Sequence, residues 1–258
     1  MSTLKQFTSG ALIAGAAILS QPQSAPAQST AKGVKNIVLV HGAFADGSSW
    51  SKVIPLLQAK GLNVIAVQNP LTSLEDDVAA TKRAIALMDG PVLLVGHSYG
   101  GMVVTEAGND PKVAGLLYVC ALIPNDQQSV GDVVSAFPAA PGSAEFKQDA
   151  SGFLSLSSKG INSYFAQDLP EEERQVIFAT QVPWAAVATT RKISNAAWKT
   201  KPSWAIIGID DYMVPAELAR AEAKMIKAKT IELQSSHVPM VSQPTKVADF
   251  IISAAQAL

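Results

Sequence analysis

Cysteine is almost absent: Cys120 is the one thiol in 258 residues, which excludes an internal disulfide. Histidine is nearly as scarce, with three residues. No Cys/His cluster has ligand-like spacing, so a structural zinc site is not expected. Neither sign of charge is in excess: 20 Lys and Arg face 21 Asp and Glu, and charged residues make up only 16% of the chain. Without a basic surplus, nucleic acid is not an expected partner. The apolar stretch from Gly10 to Leu19 is too short to span a bilayer. There is no internal repeat.

What is plentiful is apolar: 48% of residues are hydrophobic, enough for a sizeable core in one large domain, or one domain with an insertion. The first residues read as a targeting segment rather than as part of the fold. Lys5 gives a positive start, Gly10 to Leu19 is apolar, and Ala25-Pro26-Ala27 is an A-x-A site. This pattern predicts a signal peptide over 1–27, cleavage after Ala27, and a periplasmic or secreted protein. No twin-Arg pair precedes the apolar stretch, and no cysteine follows the site to carry a lipid.

Beyond that segment, strands and helices alternate. Short continuous apolar runs read as strands buried on both faces: Asn36 to Val40, Leu62 to Val67, Pro91 to Val95, Val113 to Val119, Ser203 to Gly208 and Thr230 to Leu233. Helical stretches lie between them: Ser48 to Lys60, Leu74 to Met88 with Ser73 as N-cap, Ala216 to Lys227, and Gln243 to Leu258. Alternation of this kind predicts an α/β fold, with a mostly parallel sheet of about six strands and helices on both faces. It stops between Pro124 and about Lys201. That stretch, rich in Pro, Ser, Ala and Gly, reads as an inserted helical cap over 125–201. Short helices are expected around Gly131 to Phe137, Glu171 to Phe178 and Trp184 to Ser194. The core then comprises 28–124 and 202–258.

The most informative stretch is Gly96-His97-Ser98-Tyr99-Gly100. The bare Gly-x-Ser-x-Gly pattern arises by chance in about one chain of this length in ten, so its flanks carry the assignment. An apolar run of strand length precedes it and a helix-compatible run follows. That order is a nucleophile elbow, which stands the Ser98 hydroxyl clear of a sheet at a tight turn. Strand and helix pass so closely there that Gly96 and Gly100 must lack side chains. A serine needs a base. His97 lies on the strand side of the turn, where its ring should point away, and His41 should shape the loop after the first strand. His237, between the last strand and the last helix, belongs at the same sheet edge as the elbow, and is the expected base. The ring in turn needs a carboxylate, and Asp210 and Asp211 after the penultimate strand both offer one. The elbow supplies the Tyr99 N–H to an oxyanion.

The chain from about Asn36 onward resembles the α/β-hydrolase superfamily. The likeness is carried by His41-Gly42-Ala43-Phe44, Gly96-His97-Ser98-Tyr99-Gly100-Gly101, the Asp210-Asp211 loop and His237. It implies Asp211 as the acid, because Asp211-Tyr212-Met213-Val214-Pro215 fits the superfamily's acid-x-x-Val-Pro frame, with Asp210 as runner-up. It also implies the Ala43 N–H as second oxyanion donor. Within the superfamily the chain is most similar to the small esterase and hydroxynitrile lyase group. The lyases of that group carry a threonine in the oxyanion loop and a lysine after the histidine. Here Gly42 and Val238 stand at those positions, which argues for an esterase. Ser98 also excludes the aspartate-nucleophile chemistry of epoxide and alkyl-halide members.

The resemblance thus implies a cofactor-free serine hydrolase, without metal, acting on carboxylic esters of small apolar molecules. Phe44, Trp50 and Trp184 are expected at the substrate, and Phe137, Phe146, Phe153, Tyr164, Phe165 and Trp198 offer further aromatic lining. Cys120 reads as a small buried hydrophobe that could border the pocket. Amide or lactone hydrolysis, acyl transfer and perhydrolysis on the same residues stay open, as does a slow-turnover binding protein.

Overall fold

The computed structural model describes residues 1–3 and 33–258. The rest of the expected signal peptide over 1–27, with its cleavage point, lies outside the described residues. Six strands form one wholly parallel sheet in the order β2-β1-β3-β4-β8-β9. They are β1 (Asn36–Val40), β2 (Asn63–Ala66), β3 (Val92–His97), β4 (Val113–Val119), β8 (Ser203–Gly208) and β9 (Lys229–Leu233). All residues of β1, β3 and β8 are buried, as continuous apolar sequences require when helices cover both faces of a sheet.

The helices are α1 (Ile54–Gln58), α2 (Leu74–Leu87), α3 (Gly100–Ala107), α4 (Val130–Val134), α5 (Ser158–Gly160), α6 (Glu171–Thr180), α7 (Ala216–Met225), α8 (Pro239–Ser242) and α9 (Pro244–Gln256). Ser73 caps α2 by accepting from the Asp76 N–H, as its sequence predicts. The helix expected over Ser48 to Lys60 is broken instead. A 3-10 turn covers Gly47–Trp50, and the α-helix begins only at Ile54. Pro55 lacks an N–H and so suits the first turn of a helix, not its interior.

The segment between β4 and β8 departs further from expectation. Alongside short helices it holds a three-stranded antiparallel sheet of β5 (Phe146–Gln148), β6 (Phe153–Leu156) and β7 (Trp184–Ala185). The β5–β6 turn is built on Asp149, whose carboxylate accepts from the N–H groups of Ser151 and Phe153, and on Gly152 at φ 84°. Trp184 begins a strand and not a helix, because its neighbour Ala185 donates to the Leu71 carbonyl at 2.8 Å and ties this sheet to the core.

From β1, one strand in from the edge of the large sheet, the chain moves outward to β2 and crosses back to β3. The strand ends of β1 and β3 are therefore adjacent, with Val40 beside Gly96, and loops leaving them diverge. Open α/β sheets bind ligands at this switch point.

Candidate active site

Ser98 sits in the turn between β3 and α3 with φ at 54°. A non-glycine residue in this left-handed region is strained, and such strain persists where the surroundings over-determine it. They do here: a Cβ on Gly96 would lie 2.6 Å from the Gly100 carbonyl oxygen, so strand and helix touch across the turn. Ser98 remains partly exposed while its neighbours His97 and Tyr99 are buried. The loop after β1 presses on it from the side. A Cβ on Gly42 would meet the Ser98 Cβ at 2.6 Å and the His97 carbonyl at 2.9 Å.

His237 occupies the loop after β9, and Asp211 the loop after β8. The ring's Nδ1 lies 2.7 Å from Asp211 Oδ2, and both side chains are almost wholly shielded from solvent. The other carboxylate oxygen accepts from the N–H groups of Met213 at 2.8 Å and Val214 at 2.9 Å. A carboxylate held by two amides cannot rotate away, so it fixes Nδ1 as the protonated nitrogen and leaves Nε2 free to accept a proton. Asp210 faces elsewhere: its carboxylate accepts from Gln234 and its carbonyl from Gln167. Ser98 and His237 line the same cavity of about 390 Å³. Among the described residues no hydrogen bond joins the Ser98 hydroxyl to the ring.

Ala43, Phe44 and Tyr99 line this cavity beside Ser98. Among the described residues the N–H groups of Ala43 and Tyr99 donate to no protein acceptor, so both are available to an oxygen held there. The remaining wall comes largely from the inserted segment, with Val130, Phe137, Phe146, Phe165 and Trp184, together with Met213 and Val214. Of the residues expected at a substrate, Phe44 and Trp184 are on the wall and Trp50 is not. Trp50 is fully buried and meets the His97 ring edge-on, with centroids 6.4 Å apart. The 3-10 turn that replaces the expected helix ends at Trp50 and turns its indole into the core. Phe153, Tyr164 and Trp198 are also off the wall. Cys120 is fully buried near Asp211, at φ 44°, and does not border the cavity.

The other two histidines are structural supports. His41 Nδ1 donates to the Gly42 carbonyl at 2.8 Å, and its Nε2 accepts from the Asn69 N–H at 2.9 Å. This holds the loop that carries Ala43. His97 does not simply turn away. Its Nε2 donates to the His237 carbonyl at 2.8 Å, and the two rings lie 4.7 Å apart, so His97 props the loop of the expected base. Burial is the main cause that lowers the pKa of both rings, the more strongly for His97, so each stays neutral.

Asp77 was legible only as a favourable acid in the first turn of α2. It is fully buried, accepts from the Leu71 N–H and the Tyr99 hydroxyl, both at 2.8 Å, and so holds the ring of the residue after Ser98. The Tyr99 ring in turn packs on Trp184 at 4.8 Å. Burial pushes the Asp77 carboxyl up to about 6, against the opposing hydrogen bonds. The sequence signal was thin: three consecutive acids, Glu75 to Asp77, where one satisfies the helix dipole.

The model of the Alpha/beta hydrolase family matches residues 37–250. The chain is 26% identical over 252 residues to a pyrethroid hydrolase of Sphingobium wenxiniae, covering 87% of this chain and 89% of the relative. It is 23% identical to Methylesterase 8 of Arabidopsis thaliana, covering 86% and 89%. Among solved structures, a pyrethroid hydrolase from Sphingobium faniae superposes with a TM-score of 0.74 at 21% identity, covering 86% of this chain and 98% of that one.

Proposed function

The chain belongs to the alpha/beta hydrolase family, and from that premise we propose that it is a serine hydrolase cleaving carboxylic esters of small, largely apolar molecules. The observation that carries this reading is the shielded Asp211–His237 pair, at 2.7 Å, opening on the same apolar cavity as a serine at a strained turn.

The chemistry runs in two halves. Nε2 of His237 takes the Ser98 proton as Oγ bonds to the ester carbonyl carbon. The carbonyl oxygen becomes an anion beside the N–H groups of Ala43 and Tyr99. Removing one such donor typically costs about 10²–10³ in kcat. The carbon–alcohol bond then breaks, and Nε2 returns its proton to the departing alcohol oxygen. Water enters, gives a proton to Nε2, and its oxygen attacks the acyl carbon. Ser98 leaves with that proton, and the acid is free. Asp211 accepts from Nδ1 throughout and stabilises the charged ring. Ser98 and Nε2 are not yet hydrogen-bonded, a spacing that tightens in many enzymes only when substrate is bound.

Hydrolysis is favoured over cyanohydrin cleavage by two positions. Gly42 lies against Ser98 with no room for a side chain, and Val238, which follows His237, is buried and uncharged. We read residues 125–201 as a cap on this site and residues 1–27 as an export signal. N-terminal sequencing of the mature protein from the periplasmic or extracellular fraction should begin at Gln28. Turnover of p-nitrophenyl butyrate tests the main reading. The wild type should be active and be labelled on Ser98 by a fluorophosphonate, and Ser98→Ala should lose about 10⁵-fold or more in kcat. Equal rates in the two proteins overturn it.

A further inference from the structure

Behind the catalytic cavity lies a second apolar groove, of about 300 Å³, between the 3-10 turn at Gly47–Trp50 and helix α6. Phe44 and Phe165 belong to the walls of both spaces, so the two adjoin at these side chains. Val176 and Ile177 of α6, with Val238 and Val241, form its apolar lining beside the two phenylalanines, and Asp46, Lys52, Glu172, Glu173 and four hydroxyl side chains also border it. Helix α6 has no fully buried residue, and Val176 is 61% exposed. Val176 and Ile177 thus leave apolar surface uncovered at the groove, which an apolar ligand group can cover.

We propose that this groove binds the far end of the alcohol half of an elongated apolar ester, while the acyl half stays in the catalytic cavity. The proposal rests on the serine-hydrolase reading above and assigns the two ends of its substrate.

Direction follows from the chemistry. His237 must protonate the departing alcohol oxygen, so the alcohol leaves along the ring. Phe165 stands 5.1 Å from that ring, and Val238 is the next residue in the chain. Both are groove walls. Val130, Gly131 and Ala139 line the catalytic cavity and not the groove, and their part of the cavity is left for the acyl chain. Phe44 has φ at 60°, an outlier of the kind found at ligand clamps. Across the groove, Lys52 Nζ binds Glu173 of α6 at 2.5 Å and the Val241 carbonyl at 3.2 Å, tying the helix to the core beside the opening.

Two ester series separate the ends. One fixes the acid as acetate and lengthens the alcohol through ethyl, hexyl and decyl. The other fixes methanol and lengthens the acid to decanoate. Ile177→Trp fills the groove from its exposed side, and Val176→Trp is the alternative should the first variant unfold. In wild type, kcat/KM should climb along the alcohol series. Either tryptophan should cut it about tenfold or more for decyl acetate, and leave ethyl acetate and methyl decanoate within about twofold. Loss in both series alike, or in neither, overturns the proposal. Titration of decanol into Ser98→Ala, with and without Ile177→Trp, reads the groove without turnover. Binding to the parent alone is expected, and equal binding or none overturns it. Failure of p-nitrophenyl butyrate hydrolysis, by contrast, overturns the serine-hydrolase reading whatever decanol does.

Discussion

The two halves of the cavity are made differently. The half with Ser98, His237, Asp211 and Ala43 is built from strand ends of the large sheet, and β1, β3 and β8 behind it are buried throughout, while β9 is an edge strand. The half with Phe137, Phe146, Phe165 and Trp184 comes from short elements between β4 and β8, outside the six-stranded sheet. Groups that must meet within a few tenths of an ångström are carried by the stiff half. The other half supplies apolar area, whose contribution is non-directional and tolerates looser placement. Changes on the strand side should therefore act on kcat, and changes on the other side on KM.

The strongest break in that contrast is Asp211→Asn. The amide keeps its acceptor oxygen for the Met213 and Val214 N–H groups but can hold the ring in the wrong tautomer. We expect kcat to drop about 10⁴-fold with the melting temperature nearly unchanged. Calorimetry beside ester kinetics checks both parts. Next is Gly42→Ala. The added carbon sits 2.6 Å from the Ser98 Cβ, so the loop must move and take the Ala43 N–H with it. Steady-state kinetics should show kcat down about 10²-fold. Trp184→Ala, on the softer side, should raise KM for aromatic esters about tenfold and leave kcat within a few-fold; the reverse split would erase the distinction between the halves.

The smallest effect sharpens the comparison from outside the site. Glu222 of α7 is buried, and one oxygen accepts from the Ile123 N–H, next to Leu122 of the cavity wall. Its other oxygen has no partner among the described residues. Burial pushes its carboxyl up to about 8. The folded protein therefore holds a proton that the unfolded chain has already released above its ordinary carboxylate range. Stability from this group is full at acidic pH and is lost as pH rises toward about 8. The wild-type melting temperature should fall by roughly 5 °C more than that of Glu222→Gln between about pH 5 and about pH 9. Parallel curves would show that the proton is not held.

Much of this was legible along the chain. Buried parallel strands have to be continuous apolar runs, so all six appeared in the sequence within a few residues of their ends. Ser73 announced its helix, and Gly-x-Ser-x-Gly announced its turn, because local sterics demand those residues whatever surrounds them. The inserted segment was less readable. Its three strands are two to four residues long, and only partners distant in sequence make Trp184 extended and not helical.

The sequence by itself determined the sheet, the strained serine and a short list of candidates for its neighbours: local propensity, apolar periodicity and backbone sterics act over a few residues. Only the tertiary structure decided which candidates meet. It put Asp211 against His237 and turned Asp210 away, moved Trp50 into the core, and gave His97 and Asp77 supporting work. Such contacts join loops far apart in the chain, and their formation depends on how strand ends line up across a twisted sheet, which no short stretch encodes.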